Sequence, residues 1–248
     1  MSARRALIAG LGLIGGSIGL ALRRRGWHVA FFDSDSDSDL DPGEAADERV
    51  ASVDAEADVL ILATPVDVAI TLLGTAHAPI ITSVCSVMSP LRAVADDRFI
   101  AGHPLAGSAA RGVTAARADL FEGSTWFIDR DDATVREIIA ACGANAEIVD
   151  AGEHDRAVAL TSHLPQILST ALAAYLHEQN VDLRFAGPGL RTFLRLAGSE
   201  APVWTPILDA NRENLRPHVD VIAKIVRAIV EGDAAESFAK ANNLFAKL

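Results

Sequence analysis

Three glycines near the amino terminus constrain the fold more strongly than any other feature of this chain. Gly10, Gly12 and Gly15 stand in the run Gly-Leu-Gly-Leu-Ile-Gly, which follows the apolar segment Arg5–Ala9 and precedes a helical stretch, residues 13–25, that ends in three arginines. In a strand–turn–helix unit, such glycines permit a tight turn, a close approach of backbone to a pyrophosphate and tight packing of helix on strand. The pattern therefore predicts an α/β domain with a dinucleotide site.

An acidic residue follows at the position that such a unit requires. His28–Phe32 is a second strand-like run. Asp33 ends it at about the twenty-residue offset at which a carboxylate accepts hydrogen bonds from the adenosine ribose. A carboxylate there repels a 2′-phosphate, so we predict NAD rather than NADP. Residues 64 and 65 end the next run and are expected to line the same crevice. The predicted cofactor contacts are Gly10, Gly12, Leu13, Ile14, Gly15, Asp33, Thr64 and Pro65.

The chain divides into two parts of different character. Up to residue 150, strand-like runs alternate in part with helical stretches, whereas only helix-period patterns follow it. The strand-like runs after residue 33 are residues 59–63, 79–82, 99–102, 125–128 and 147–149, the helical stretches between them are 66–73 and 134–142, and the later helical stretches are 155–179, 203–214 and 219–230. We predict a Rossmann-type, doubly wound, mostly parallel sheet in residues 1–150 and an all-helical domain in residues 151–248.

The net charge of −11 is concentrated in one segment and does not indicate a nucleic-acid partner. Residues 33–58 hold eleven acidic residues against the single base Arg49, and nucleic-acid binding needs a basic face instead. The alternating aspartates of residues 33–43 do not match a calcium loop, because Pro42 stands where an EF-hand that begins at Asp37 needs glycine. We predict a solvated loop there and no metal site.

The cysteines and the apolar runs favour a cytoplasmic protein. Cys85 and Cys142 lie in unrelated apolar contexts without metal-ligand spacing, which is typical of a reduced protein with no disulfide framework. We also expect no signal peptide and no apolar run of membrane-spanning length.

His103 is the strongest candidate for a catalytic residue. It follows the apolar run 99–102 and precedes Pro104, so the strand is expected to end as it delivers the imidazole. Ligands of a doubly wound sheet bind outside the carboxyl ends of its strands, so the ring is expected to face the cofactor. Histidine suits a general base because its ordinary pKa lies near neutrality. The alternative is a strand-end histidine whose nitrogens bond only to the backbone.

Further polar residues are expected to converge on His103 from two sides. Ser86 follows a strand of the same sheet, and His163 lies in the first long helical stretch of the second domain. The run Glu153-His154-Asp155-Arg156 begins that domain. Two histidines from different domains would then flank the nicotinamide. His163 taken alone is as consistent with a packed or capping histidine.

Several motifs in their order resemble the prephenate/arogenate dehydrogenase family of tyrosine biosynthesis over nearly the whole chain. They are the glycine run 10–17, the Ser86 loop, Gly102-His103-Pro104-Leu105-Ala106-Gly107-Ser108, Leu120-Phe121-Glu122-Gly123, His154-Asp155-Arg156, Ser162-His163-Leu164-Pro165, and Arg195 followed by Trp204 and Asn211. The resemblance implies that His103 draws the proton from a substrate ring hydroxyl and that Ser86 orients both groups. It further implies that Arg195 holds a substrate carboxylate and that His163 helps to bind the substrate. From the residues alone, Arg184 and Arg191 are equally available.

Three departures from that family bear on the substrate. A lysine often found in the Ser86 loop is replaced by Met88, and two usual acids are replaced by Ala109 and Thr192. Loss of the acids removes partners for a substrate ammonium group, since a buried cation needs a paired anion. We therefore expect prephenate, a keto acid, with arogenate or 4-amino-4-deoxyprephenate as alternatives.

Two rival functions remain to be weighed. A β-hydroxyacid dehydrogenase has a similar glycine run and helical domain, but resemblance to that family requires a lysine in the first long helix, and the only lysines here are Lys224, Lys240 and Lys247. The second rival is a weakly active or non-catalytic regulatory protein that binds NAD. The replaced acids favour this rival, whereas the retained histidines count against it. The apolar helical domain and the resemblance both predict a homodimer, with no nucleic-acid or membrane partner.

Overall fold

The computed structural model describes residues 3–33, 41–107 and 110–247, and six parallel strands form its first sheet. The strands are β1 (Arg5–Ala9), β2 (His28–Phe32), β3 (Glu48–Arg49), β4 (Val59–Leu62), β5 (Ile81–Ser83) and β6 (Phe99–Ile100). Their order across the sheet is β3-β2-β1-β4-β5-β6. The order reverses direction between β1 and β4, which is where a doubly wound sheet opens its ligand crevice. The solvated loop predicted for residues 33–43 falls largely on residues 34–40, which lie outside the described residues.

Helices cover both faces of this sheet because its central strands are apolar on both sides. Strands β1 and β4 are buried along almost their whole length, as parallel strands between two helical layers must be. The helices are α1 (Leu13–Arg24), α2 (Val66–Leu73), α3 (Ser89–Arg92) and α4 (Ala133–Ala141). Helix α1 ends in Arg23 and Arg24, whose positive charges stabilise its carboxyl terminus. One apolar cluster lies on each side of the sheet.

A second, smaller sheet continues the chain beyond β6. It consists of β7 (Gly102–Pro104), β8 (Thr125–Ile128) and β9 (Asn145–Ile148), with β7 antiparallel to β8 and β8 parallel to β9. The single strand predicted for residues 99–102 is therefore two strands in different sheets. The crossing is close, because a Cβ on Gly102 would lie 2.7 Å from the carbonyl oxygen of Ser83. His103 is paired with Phe127 inside β7 and does not simply follow β6.

Helices alone follow the second sheet in the described part of the chain. They are α5 (Ala151–Val158), α6 (Leu164–Glu178), α7 (Pro188–Phe193), α8 (Ala201–Ala210), α9 (Arg212–Glu231) and α10 (Ala234–Phe245). A π-helical segment, Ala159–His163, joins α5 to α6 without a break, and such segments often occur at functional sites. The Rossmann-like sheet followed by a helical region confirms the predicted fold class.

The continuous helix Ala151–Glu178 differs from one expectation. It has 28 residues and a mean hydropathy of 1.2 over its most apolar 18-residue window, so by length and composition it could cross a membrane, contrary to the prediction that no run would. Core helices of soluble proteins reach the same values. This helix buries the polar side chains of His163, Gln166 and Ser169 against other parts of the chain, and 33% of its most apolar window is buried.

Candidate active site

The glycine-rich turn leaves one position of its backbone open. Gly10 has a φ of 91°, and a Cβ there would lie 2.6 Å from the carbonyl oxygen of Ala63. A Cβ on Gly15 would overlap the carbonyl oxygen of Gly10. By contrast, no described atom lies within 4 Å of the Cβ position of Gly12. Two glycines are thus required by the fold itself, and Gly12 leaves space over the amino terminus of α1.

Polar groups border this open backbone. Asp33 accepts a hydrogen bond of 3.0 Å from the backbone N–H of Leu11, so its carboxylate is held against the turn at the end of β2. Thr64, after β4, has a buried hydroxyl without a partner in the described part of the chain. Its methyl group lies 3.0 Å from the Cβ position of Gly10. An open backbone, a helix amino terminus and a carboxylate fit the pyrophosphate and ribose of a dinucleotide.

His103 contacts a second histidine from the helical region. Its Nδ1 lies 2.9 Å from Nε2 of His154, and the two rings meet edge to face with centroids 5.1 Å apart. Burial, with smaller contributions from positive charge on His154 and His163, lowers the pKa of His103 to about 3, although the Asp155 charge acts in the opposite direction. His103 is therefore neutral at physiological pH and able to accept a proton.

His154 in turn contacts a buried carboxylate. Its Nδ1 lies 2.9 Å from Oδ1 of Asp155. The same carboxylate accepts hydrogen bonds of 2.8 Å from the backbone N–H groups of Met88 and Ser89, one at each oxygen. Burial alone would raise the pKa of Asp155, but the hydrogen bonds from His154, Met88 and Ser89 outweigh it and hold the pKa below its ordinary value. Asp155 is thus a buried anion.

Ser86 lies two residues before the amide that Asp155 holds. It is half-buried, and among the residues described its hydroxyl has no hydrogen-bond partner, so it is free to contact a ligand. Met88, where the resembling family often has lysine, is fully buried in an apolar cluster. Its side chain therefore does not contribute a polar group to this site, and only its backbone takes part.

His163 is fully buried in the π-helical segment. Its Nδ1 lies 3.0 Å from the amide nitrogen of Asn211, and that nitrogen also donates to the backbone carbonyl of Asp155 at 2.8 Å. The ring of Trp204 meets it edge to face at 5.8 Å. Burial lowers the pKa of His163 to about 4. Its Nε2 has no partner within the described ranges.

Arg195 is not brought to His103 by any contact between described residues. Its side chain is exposed and forms no ion pair with any described residue. The neighbouring backbone is nevertheless tied to α6, because Gln166 donates to the carbonyl of Leu196 at 2.9 Å and Ser169 to that of Phe193 at 2.9 Å. Thr192 is exposed on α7, and Ala109 lies outside the described residues.

Sequence reasoning gave no role to three residues at the centre of this network. His154, Asp155 and Asn211 belong to motifs of the sequence without a predicted role of their own, and they link His103 to His163. His103 and His154 are 51 residues apart in the chain, so no spacing rule predicts their contact. The adjacent pair of ionisable residues at 154 and 155 was the one available signal.

Two family models and several relatives match most of this chain. The model of the prephenate dehydrogenase nucleotide-binding domain matches residues 18–147, and that of the prephenate dehydrogenase dimerization domain matches residues 150–241. The prephenate dehydrogenase of Bacillus subtilis is 32% identical over 93% of this chain and 71% of its own length. This chain belongs to the prephenate dehydrogenase family.

Further relatives of the family extend the similarity. The prephenate dehydrogenase of Lactococcus lactis is 31% identical over 89% of this chain and 70% of its own length. A crystal structure of prephenate dehydrogenase from Aquifex aeolicus, solved with hydroxyphenyl propionate and NAD+, superposes with a TM-score of 0.80. It shares 25% sequence identity and covers 100% of this chain and 96% of that one. The chain is therefore an oxidoreductase of this family, with a nucleotide-binding domain.

Proposed function

We propose that this protein catalyses the NAD-dependent oxidative decarboxylation of prephenate to 4-hydroxyphenylpyruvate, in tyrosine biosynthesis. The observation that carries the proposal is the contact of His103 with His154, beside the sheet that bears the glycine-rich turn. It gives a neutral imidazole a fixed orientation where a cofactor and a substrate would meet. Membership of the family supports the same reaction.

The residue types suit the chemistry of prephenate. Its ring is a cyclohexadienol with a carboxylate opposite the hydroxyl-bearing carbon. Hydride leaves that carbon, carbon dioxide departs, and the ring becomes aromatic, which supplies much of the driving force. NAD+ supplies the hydride acceptor when it is bound. His103 supplies the base that takes the hydroxyl proton as the carbon–oxygen double bond forms.

The cofactor would be held by the glycine-rich turn and its neighbours. The open backbone at Gly12 admits a pyrophosphate, and the amino terminus of α1 stabilises its negative charge. Asp33 accepts hydrogen bonds from the adenosine ribose and repels a 2′-phosphate, which favours NAD over NADP. Leu13, Ile14, Thr64 and Pro65 complete the walls of the crevice.

Three further residues would hold the substrate. Ser86, whose hydroxyl has no partner among the described residues, would orient His103 and the substrate hydroxyl. His163 would donate a hydrogen bond from Nε2, which has no partner among the described residues. Arg195, exposed and without an ion pair in the described chain, would bind a carboxylate. A guanidinium suits a carboxylate because it can donate two parallel hydrogen bonds.

The substrate side chain is proposed to be a keto acid. Arogenate carries an ammonium group, and a buried ammonium needs a carboxylate partner. The positions at which the resembling family has acids are Ala109 and Thr192 here, and neither can supply one. This favours prephenate over arogenate. The alternative 4-amino-4-deoxyprephenate has the same keto-acid side chain and differs from prephenate at the ring, so the substrate panel below must separate the two.

We also propose that the helical half forms a cytoplasmic homodimer. Large apolar side chains of α9 and α10 are exposed, with Val230 at 82% and Phe245 at 79%. Exposed apolar surface on this scale indicates a contact surface. The match to a family dimerization domain supports a second copy of this chain as the partner. In this proposal residues 1–150 bind NAD, residues 151–248 bind substrate and dimerise, and the two buried, unpaired cysteines suit a reducing compartment.

A substrate panel tests this function directly. The purified protein is mixed with NAD or NADP and with prephenate, arogenate or 4-amino-4-deoxyprephenate, and formation of the reduced cofactor is followed. We expect the largest kcat/KM for prephenate with NAD. Preference for arogenate or for NADP would overturn the substrate or the cofactor assignment. No reduction with any pair would favour a regulatory NAD-binding protein.

A further inference from the structure

We infer that Asp155 and His154 are positioning residues that fix which nitrogen of His103 carries a proton and leave its Nε2 free to accept the substrate proton. The inference deepens the proposed function and rests on it, since it concerns the residue that acts as the base. It gives roles to two side chains from the helical region, neither of which would touch the substrate in the proposed reaction.

The first step concerns Asp155. A backbone N–H can only donate, and the carboxylate faces two of them, from Met88 at Oδ1 and from Ser89 at Oδ2. Both oxygens must therefore accept. Oδ1 also lies 2.9 Å from Nδ1 of His154. The pKa of Asp155 is held below its ordinary value, so the carboxylate has no proton to donate at neutral pH. The proton between them therefore belongs to His154, whose Nδ1–H donates to the carboxylate.

The second step carries this assignment to His103. A neutral imidazole has one N–H and one lone pair. With the proton of His154 on Nδ1, its Nε2 presents a lone pair to Nδ1 of His103, 2.9 Å away. Nδ1 of His103 must then carry the proton and donate. The remaining nitrogen of His103, Nε2, is left with its lone pair.

The third step concerns proton transfer. When the substrate O–H bond breaks, a new N–H bond forms at Nε2 of His103 and the ring becomes positively charged. The charge is then paired with the Asp155 anion through His154, and the proton on Nδ1 stays between the two histidines. This arrangement stabilises the protonated His103 while the substrate ring is oxidised. A carboxylate that orients a catalytic histidine acts in the same way in hydrolases.

The same carboxylate also holds the segment that bears Ser86. The amides of Met88 and Ser89 follow Ser86 by two and three residues, and both donate to Asp155. One anion therefore fixes the base and the proposed orienting hydroxyl relative to each other. The Asp155 backbone carbonyl, in addition, accepts from Asn211, which connects this unit to His163.

His163 provides an internal contrast. Because the Asp155 carbonyl can only accept, the group that faces it must be the amide nitrogen of Asn211. That nitrogen also faces Nδ1 of His163 at 3.0 Å, so Nδ1 accepts and Nε2 carries the proton. The structure thus assigns opposite tautomers: His103 protonated on Nδ1 and His163 protonated on Nε2.

Nuclear magnetic resonance of the unliganded protein tests the assignment without any need for activity. Long-range proton–nitrogen spectra of histidine-labelled protein distinguish the two tautomers, and signals that vanish in His103→Asn and His163→Asn identify the two rings. We expect the Nδ1–H form for His103 and the Nε2–H form for His163 at neutral pH. The Nε2–H form for His103 would overturn the inference.

Kinetics of His154→Phe test the consequence for the reaction. Phenylalanine keeps a ring against Phe127, whose centroid lies 5.6 Å from that of His154, but it cannot accept a hydrogen bond. We expect kcat to fall by about a hundredfold, as for loss of a partner that orients a functional histidine. The KM for NAD should be unchanged, and His103 should lose its preference for the Nδ1–H form.

Phe127→Leu is the matched control, because it loosens packing on His154 and leaves every nitrogen in place. We expect it to retain kcat within about threefold, a small effect in free-energy terms. Equal losses in the two variants would assign His154 to packing and overturn the inference. If wild-type protein reduces NAD with prephenate while His154→Phe keeps full kcat, the proposed function stands and the positioning role fails.

Discussion

The amide nitrogen of Asn211 lies 3.0 Å from Nδ1 of His163, and this contact decides what the buried histidine can offer a ligand. With Nδ1 occupied as an acceptor, the ring presents an N–H at Nε2. A fully buried N–H without a described partner is costly unless a ligand accepts from it. The pair is therefore expected to act in substrate binding.

Asn211→Leu should consequently weaken the binding of prephenate. Leucine has a similar size but cannot donate, so His163 is free to adopt the other tautomer and present a lone pair to the substrate. We expect KM for prephenate to rise about tenfold, the equivalent of one hydrogen bond, with kcat changed much less. Steady-state kinetics at saturating NAD measure both.

Asn214→Ala serves as the control for that variant. Asn214 donates to the side-chain oxygen of Asn211 at 2.8 Å. The substitution removes this contact and leaves the Asn211 amide nitrogen in place. A rise in KM as large as that of Asn211→Leu would argue that local packing, and not the donor to His163, sets the affinity.

His103→Asn should remove most of the catalytic rate. Asparagine retains hydrogen-bonding groups but cannot take the hydroxyl proton at neutral pH. General-base catalysis is typically worth about 10² to 10⁴ in rate, so kcat should fall by that order with a modest change in KM. A variant that keeps its kcat would refute the role of His103 as the base.

Acid should weaken the folded state because two buried histidines resist protonation. Burial lowers the pKa of His103 to about 3 and that of His163 to about 4, against 6.5 for an ordinary histidine. Between pH 6.5 and pH 4 the unfolded chain therefore binds more protons than the folded one, and stability falls as the pH falls. For the fully buried His163 the loss is about 2 to 3 kcal/mol over this range.

Urea unfolding at several pH values between 7.5 and 4.5 measures this loss. His163→Asn, which has no proton to bind, should show a shallower decline than the wild type. A decline of equal slope in both proteins would mean that other groups are responsible.

Gly12→Ala should weaken NAD binding, whereas Gly15→Ala should lower the stability of the fold. The Cβ position of Gly12 is open among the described atoms, whereas a Cβ on Gly15 would overlap the carbonyl oxygen of Gly10. Gly12→Ala should therefore leave the melting temperature within about 2 °C of the wild type, a change of under about 1 kcal/mol, and raise the Kd for NAD at least about tenfold. Gly15→Ala should lower the melting temperature itself. Calorimetry and NAD titration of both variants distinguish a glycine that the packing of the fold requires from one that leaves room for the cofactor.

The sequence alone predicted those parts of the fold that depend on local pattern. The bounds of β1, β2, β8 and α2 agree with the expected runs because each is a short apolar segment bounded by turn residues or charges. The division of residues 99–102 between two sheets was not predicted. At that division Gly102 lies close to Ser83, a contact between segments 19 residues apart that a local pattern cannot predict.

The candidate site divides in the same way. His103 and Ser86 could be selected because each follows a strand-like run, whereas His163 lies within a helical stretch and could be selected only from the motif Ser162-His163-Leu164-Pro165. The bonds that give them definite protonation states come from Asp155 and Asn211, which reach across the fold. A side chain such as Arg195, exposed and held only through its backbone neighbours, has an orientation that neither pattern nor packing determines.

The position of Asp155 limits which domains of different family members can be combined in one functional chain. Its carboxylate belongs to the helical half, yet it binds the backbone of the nucleotide-binding half just after Ser86. A chimera that joins the first half of one family member to the second half of another therefore exchanges the partner of the base along with the dimer surface. In such a chimera, His103 would keep its orientation and tautomer only if residues 154 and 155 from one parent fit the Ser86 loop from the other.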